Sequence, residues 1–158
     1  MNDESILKFY GDDHDRLDHL FGEFRRLKPQ NLREAASRFT EFKVGLERHI
    51  RWEEEILFPA FEEETGMRNT GPTVVMRQEH AQIKQKLGAI AAKLGAGDTQ
   101  TDAEEAGLHE ILGTHNWKEE NVLYPAIDHQ VSPEDRSDIY ARMAAIEGNA
   151  GHTPVSRA

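Results

Sequence analysis

The stretch HIRWEEEILFPAF, residues 49–61, returns 66 residues later as HNWKEENVLYPAI, residues 115–127. The same shift lays His14 on His80, His49 on His115, Glu53 on Glu119, Glu54 on Glu120 and Pro59 on Pro125, with Asp13-His14 over Glu79-His80. A repeat of this kind predicts two similar units that cannot bury their apolar faces alone and must pack on each other. In each half the two histidines are 35 residues apart, the length of a helical hairpin.

Working outward, the punctuation of the chain predicts four long helices and a short fifth. The first runs from about Ser5 to Lys28 and stops at Pro29. Asn31 with Glu34 opens the second, which reaches Gly66 and carries Pro59 near its far end. Gly71-Pro72 opens the third, which closes near Gly95. Thr101 with Glu104 reads as a capping box for the fourth, which continues to about His129. Ser132-Pro133 starts a short helix to about Glu147. The tail GNAGHTPVSRA, residues 148–158, has no periodicity and is expected to be disordered. The expected fold class is all-α: an up-down-up-down four-helix bundle over residues 1–147, with the short helix at its C-terminal end.

Each long helix carries one apolar stripe at steps of three and four, as an antiparallel bundle requires. The stripes read Leu7, Tyr10, His14, Leu17, Phe21, Phe24; then Phe39, Phe42, Leu46, His49, Glu53, Ile56 with Leu57, Ala60; then Thr73, Met76, His80, Ile83, Leu87, Ile90, Leu94; then Leu108, Leu112, His115, Glu119, Val122, Ala126. Six ionisable side chains therefore point into hydrocarbon. Counting from each hairpin turn puts the four histidines at one depth, to within a helical turn. The prolines mark the closed end, with residues 60–69 expected to cap it.

Composition narrows the chemistry. With no cysteine in 158 residues, disulfides, thiolate zinc sites, cysteine-held iron–sulfur clusters and thiol nucleophiles are excluded. Nineteen basic against twenty-nine acidic residues give a net charge of −10, which repels phosphate backbones and anionic lipid surfaces. No apolar run is long enough to span a bilayer and the start lacks a signal-peptide pattern, so a cytoplasmic protein is expected.

Spacing of four residues stacks His49 over Glu53 on one face, roughly 6 Å apart along the axis, and His115 over Glu119 likewise. Imidazole with carboxylate suits iron, manganese or zinc, and carboxylates from opposite helices can bridge two ions. A buried, unpaired carboxylate costs several kcal/mol, so a core holding two of them needs cations inside. His14, His49, Glu53, His80, His115 and Glu119 are the candidate metal ligands.

His14, then His49-x-x-x-Glu53 with LFP after it, repeated as His80 and His115-x-x-x-Glu119 with LYP after it, resembles the hemerythrin-like, or HHE cation-binding, family. The resemblance covers roughly residues 5–130. It implies an oxo- or hydroxo-bridged di-iron centre in which Glu53 and Glu119 bridge and two histidines complete each of two Fe ions; manganese and zinc are the alternatives. Oxygen-carrying members use five histidines, with an HxxxH pair on the third helix and an HxxxxD motif on the fourth. Here Lys84 follows His80 by four, and Glu119 replaces the later aspartate. The pattern is closer to the four-histidine, two-glutamate members linked to oxidative and nitrosative stress, including those of iron–sulfur cluster repair. Three roles follow: a redox enzyme turning over peroxide or nitric oxide, a protein that binds or senses oxygen, nitric oxide or iron without turnover, and a bundle stapled by its metal. The expected partners are a small diatomic or peroxide ligand and an unspecified redox partner, without nucleic acid or membrane; the chain is a monomer or homodimer.

Other residues receive plainer readings. Glu54 and Glu120 repeat and are expected to support the ligands or face solvent. Trp52 and Trp117 do not align in the repeat and are assigned to packing; for Tyr10 and Tyr124, each near the apolar stripe, core packing is favoured over a metal or radical role. His19, His109, His129 and His152 have no repeat partner and are expected at the surface.

Overall fold

The computed structural model describes residues 3–150, with side chains through residue 146. The described chain is helical without a strand: α1 (Ile6–Leu27), α2 (Leu32–Trp52), a π-helical turn π1 (Glu53–Leu57), α3 (Phe58–Thr65), α4 (Pro72–Gly95), α5 (Asp102–Lys118), a second π-helical turn π2 (Glu119–Leu123), α6 (Tyr124–Gln130) and α7 (Pro133–Ala150). α2, π1 and α3 run on as one rod, and so do α5, π2 and α6. α1 packs along α2 and α4 along α5, with α6 closing against α1 and α4 against α2. This is the expected bundle of two hairpins.

Local chemistry sets the helix ends. Ser5 Oγ accepts the Lys8 N–H at 3.0 Å, Asn31 Oδ1 the Glu34 N–H at 3.1 Å, and Ser132 Oγ the Asp135 N–H at 3.0 Å, each satisfying a free amide of a first turn. Gly66, at φ 76°, supplies the left-handed residue that stops α3. Thr101 departs from expectation. Its hydroxyl makes no cap and instead donates to Glu105 at 2.5 Å, because that carboxylate is buried and needs donors. Lys28 Nζ completes the cluster, at 2.6 Å from Glu105, 2.8 Å from Asp102 and 2.9 Å from Thr101 Oγ1. Glu104 pairs with Lys93 rather than reaching back to the cap.

The π turns are the larger departure. Each begins at the glutamate of a His-x-x-x-Glu pair, with the Phe58 N–H bonded to Glu53 O and the Tyr124 N–H bonded to Glu119 O, five residues back. A π turn inserts one residue, so every later side chain rotates away from an uninterrupted α-helical register. The stripe expected at Ala60 passes to Phe61, and that expected at Val122 and Ala126 passes to Leu123 and Ile127; Val122 is 52% exposed. Phe58 and Tyr124 turn inward with them. Pro59 has no N–H to return to the π turn, and the Glu54 carbonyl accepts from Arg77 at 3.2 Å instead. At the start of α1, Ile6 rather than Leu7 is buried, Leu7 being 38% exposed.

The core divides into two apolar clusters. One gathers Phe21, Phe24, Phe39, Phe42, Leu46, Ile83, Leu87, Ile90, Leu108 and Leu112 toward the α1–α2 turn. The other gathers Ile6, Tyr10, Leu57, Phe58, Phe61, Met76, Tyr124 and Ile127 at the proline end, where α7 adds Ile139, Tyr140 and Met143. That end is covered by α7 rather than by residues 60–69 alone: α7 packs on π1, Tyr140 donates to Glu4 O at 2.8 Å, and Tyr10 donates to Met143 Sδ at 3.1 Å. Asp128 of α6 accepts the Ile6 N–H at 2.7 Å and the Leu7 N–H at 3.1 Å, tying the first helix to the last rod. α7 passes Gly148 and continues through Ala150, and the rest of the expected tail lies outside the described residues. No helix among the described residues is long and apolar enough to cross a membrane.

Candidate metal centre

Between the two apolar clusters the bundle turns polar. His14 of α1, His49 of α2, His80 of α4 and His115 of α5 meet there with Glu53 and Glu119, and all six are buried. Their Nε2 atoms face inward onto carboxylate oxygens: His14 at 3.0 Å from Glu119 Oε1, His49 at 3.4 Å from Glu53 Oε2, His80 at 3.0 Å from Glu53 Oε1 and His115 at 3.1 Å from Glu119 Oε2. The structure therefore brings together all six side chains selected from the repeat.

The donor atoms fall into two groups. Glu53, His80, His115 and Glu119 form one, and His14, His49 and Glu119 the other, each with all its donor atoms within 4.8 Å of one another. Glu119 belongs to both, one oxygen turned to each side.

The outward ring nitrogens are held as well. His14 Nδ1 donates to Glu120 at 2.6 Å, His49 Nδ1 to Asp13 at 2.8 Å, His80 Nδ1 to Glu54 at 2.8 Å and His115 Nδ1 to Glu79 at 2.8 Å. An ionised carboxylate can only accept, so each Nδ1 carries a proton and, in the neutral ring, each Nε2 presents a lone pair to the centre. The four carboxylates are two repeat pairs with different jobs. Asp13 and Glu79 bind the histidine on the other helix of their own hairpin. Glu54 and Glu120 reach across to the other hairpin. Glu54 and Glu120 thus hold central histidines rather than facing solvent, and so do Asp13 and Glu79, whose part the repeat alone does not reveal.

Burial and charge pull against each other here. Burial works to keep the rings neutral, and nearby carboxylates outweigh it: Glu53 and Asp13 lift His49 to about 10, and Glu119, Glu53 and Glu54 lift His80 to about 11. His115 is also raised, burial being overcome by Glu119. Burial alone would raise Glu119, but His115, His14 and His80 hold it well below the usual carboxylate range. The centre carries a surplus of negative charge that draws cations, whether protons or metal.

Tyr124 also reaches the centre, so it does more than the packing favoured for it. Its hydroxyl contacts Glu53 and Glu119, the latter at 2.8 Å. Burial, with Glu119 and Glu53 beside it, holds this phenol protonated well above its ordinary pKa of 10. The register shift at π2 aims it there, and no apolar periodicity announces such a shift. Trp52 packs in the core as expected, but Trp117 is 61% exposed. His19, His109 and His129 lie at the surface, and His152 falls outside the described residues.

A metal fits this donor set on an observation independent of spacing. Glu53 Oε1, Glu119 Oε2 and His80 Nε2 are buried without a hydrogen-bond partner. His80 Nε2 and Glu53 Oε1 stand 3.0 Å apart but do not meet hydrogen-bond geometry. Leaving such groups unsatisfied costs about 1–3 kcal/mol each, and more when charged; a bound cation satisfies them together.

A family model described as the hemerythrin HHE cation binding domain matches residues 5–127. Comparison with curated proteins and with solved structures gives no match.

Proposed function

Because the chain belongs to the hemerythrin HHE cation-binding family, we propose that its six central side chains hold two iron ions and that the centre binds or reacts with dioxygen, peroxide or nitric oxide under oxidative or nitrosative stress. His80 and His115 with Glu53 and Glu119 would hold one ion. His14 and His49 with the same two glutamates would hold the other. When bound, the pair supplies redox chemistry and Lewis acidity in a place that water reaches sparingly.

One observation carries the choice of small ligands. A cavity lined by all six residues extends between Leu17, Phe42, Leu46, Ile50, Ile83 and Leu112, with Asp18 and Asn116 at its polar edge. It offers about 10 Å³ to the centre of a water-sized molecule, room for one water or diatomic and little more. Its apolar walls favour weakly hydrated ligands and exclude larger substrates. The chain's own contribution is to hold the imidazoles with Nε2 inward through Asp13, Glu54, Glu79 and Glu120, and to keep bulk water out.

The iron-loaded protein, titrated with hydrogen peroxide and separately with nitric oxide, tests this. Ligand-induced change in the absorption spectrum with repeated consumption supports a redox enzyme. Saturation after one equivalent supports a binding or sensing protein. If neither molecule alters the spectrum and metal removal only lowers the melting temperature, the metal is a staple and the proposal is wrong.

A further inference from the structure

Phe58 and Tyr124 are repeat partners, each placed just before a proline and turned inward by its π turn. Phe58 stacks on His80, ring centroids 5.7 Å apart at 9°, and Tyr124 lies 5.7 Å from His14 at 32°. The two side chains differ by one oxygen atom. That oxygen stands 2.5 Å from Glu53 Oε2, 2.8 Å from Glu119 Oε1, 3.2 Å from His49 Nε2 and 3.3 Å from His14 Nε2. These are the four atoms that would surround the second metal ion.

Hydrogen bonding alone does not require this placement. A phenol has one proton and can give it to only one of the two carboxylates at a time. Donor atoms bound to a common ion at about 2.0–2.2 Å, at right angles to one another, stand about 3 Å apart. The four separations scatter about that edge. On the His80 side the repeat-related ring is Phe58, which has no oxygen to offer, and there Glu53 Oε1, Glu119 Oε2 and His80 Nε2 lack partners.

We propose that Tyr124 is itself a ligand, binding through its phenolate oxygen to the ion held by His14, His49, Glu53 and Glu119, so that the two metal positions are chemically unequal. The inference rests on the reading that the six side chains hold two ions. As the oxygen–metal bond forms, the phenolic O–H bond breaks and its proton leaves to solvent; no electron is transferred. The position of His80 and His115 then keeps the coordination place that an incoming small molecule takes. Tyr124 belongs to the apolar cluster at the proline end, whereas the cavity opens among the other cluster, so ligand and phenol approach from different sides.

The test uses the full chain loaded with ferric iron. Two irons per chain and a visible phenolate-to-iron(III) charge-transfer band are expected. Resonance Raman excitation in that band should show tyrosinate ring modes that shift in protein grown on ring-deuterated tyrosine. Tyr124→Phe is expected to keep its iron and lose the band, and Tyr10→Phe to keep both. Two bound irons without such a band, a band that survives Tyr124→Phe, or ring modes that do not shift with the label would overturn the ligand role and leave the di-iron reading standing. A chain that binds no iron overturns that reading and the proposal with it. The isotope shift needs no variant, so the test stands even where Tyr124→Phe does not fold.

Discussion

Asp13 and Glu79, 66 residues apart in the sequence, each hold the Nδ1–H of a histidine on the neighbouring helix of their own hairpin, His49 and His115, at 2.8 Å in both cases. Burial would raise the Asp13 carboxyl, but His49 and Arg16 bring it down to about 2, so it stays ionised at any ordinary pH. Carboxylates in this position fix ring orientation and basicity, and losing one lowers metal affinity about 10- to 100-fold. Asp13→Asn and Glu79→Gln are expected to show losses of that order in competition with a chelator. Unchanged affinity in both would mean that the outer carboxylates do not orient the rings.

His49→Ala and His115→Ala remove one inward nitrogen from each of the two donor groups. A bridged di-iron centre is expected to show an oxo-to-iron charge-transfer band in the near ultraviolet, and both variants are expected to lose metal and that band. Variants that keep full metal content and spectrum would show the ligand assignment to be wrong.

The pH dependence follows from the raised histidines. An imidazole ligates only when neutral, so metal must displace protons that His49, at about 10, and His80, at about 11, hold in the metal-free protein. Zinc titrations by calorimetry in buffers of different ionisation heat should record proton release at pH 7, with affinity rising as pH rises. For the metal-free protein the sign is reversed. Both groups sit above the unfolded value near 6.5, so their stabilisation is fully present below about pH 6.5 and is lost as pH climbs through 10 to 11. Its melting temperature should fall over that window, and a rise would contradict the assigned charges.

At the other end of the bundle, Lys28 and buried Glu105 join α1 to α5 at 2.6 Å. Lys28→Met leaves Glu105 with Arg25 at 3.3 Å and the Thr101 hydroxyl, and the lost charged hydrogen bond is expected to cost about 2 kcal/mol. Lys43→Met, which breaks a half-exposed pair with Glu47 four residues on, should stay within about 0.5 kcal/mol. Urea denaturation of the two variants, compared at equal m-value, measures the difference.

The repeat made the fold and the six central residues legible because both depend on local periodicity. Steps of three and four write an inward face into the sequence, and a polar residue on that face is conspicuous. The π turns were not legible. They begin at Glu53 and Glu119, residues that suit an α-helix equally well, and their effect falls on the residues that follow.

The sequence by itself determined two matching hairpins, the level of the four histidines and the identity of the two glutamates beside them, since each needs only spacing along one helix and a shift of 66 residues. Only the tertiary structure decided which carboxylate serves which histidine, and that Tyr124 reaches the centre while Phe58 brings no oxygen. Those carboxylates lie 26 to 106 residues from their histidines, on different helices, and Tyr124 lies 71 residues from Glu53 and 110 from His14. No periodicity encodes how two packed surfaces meet; that is fixed by the packing of one hairpin on the other.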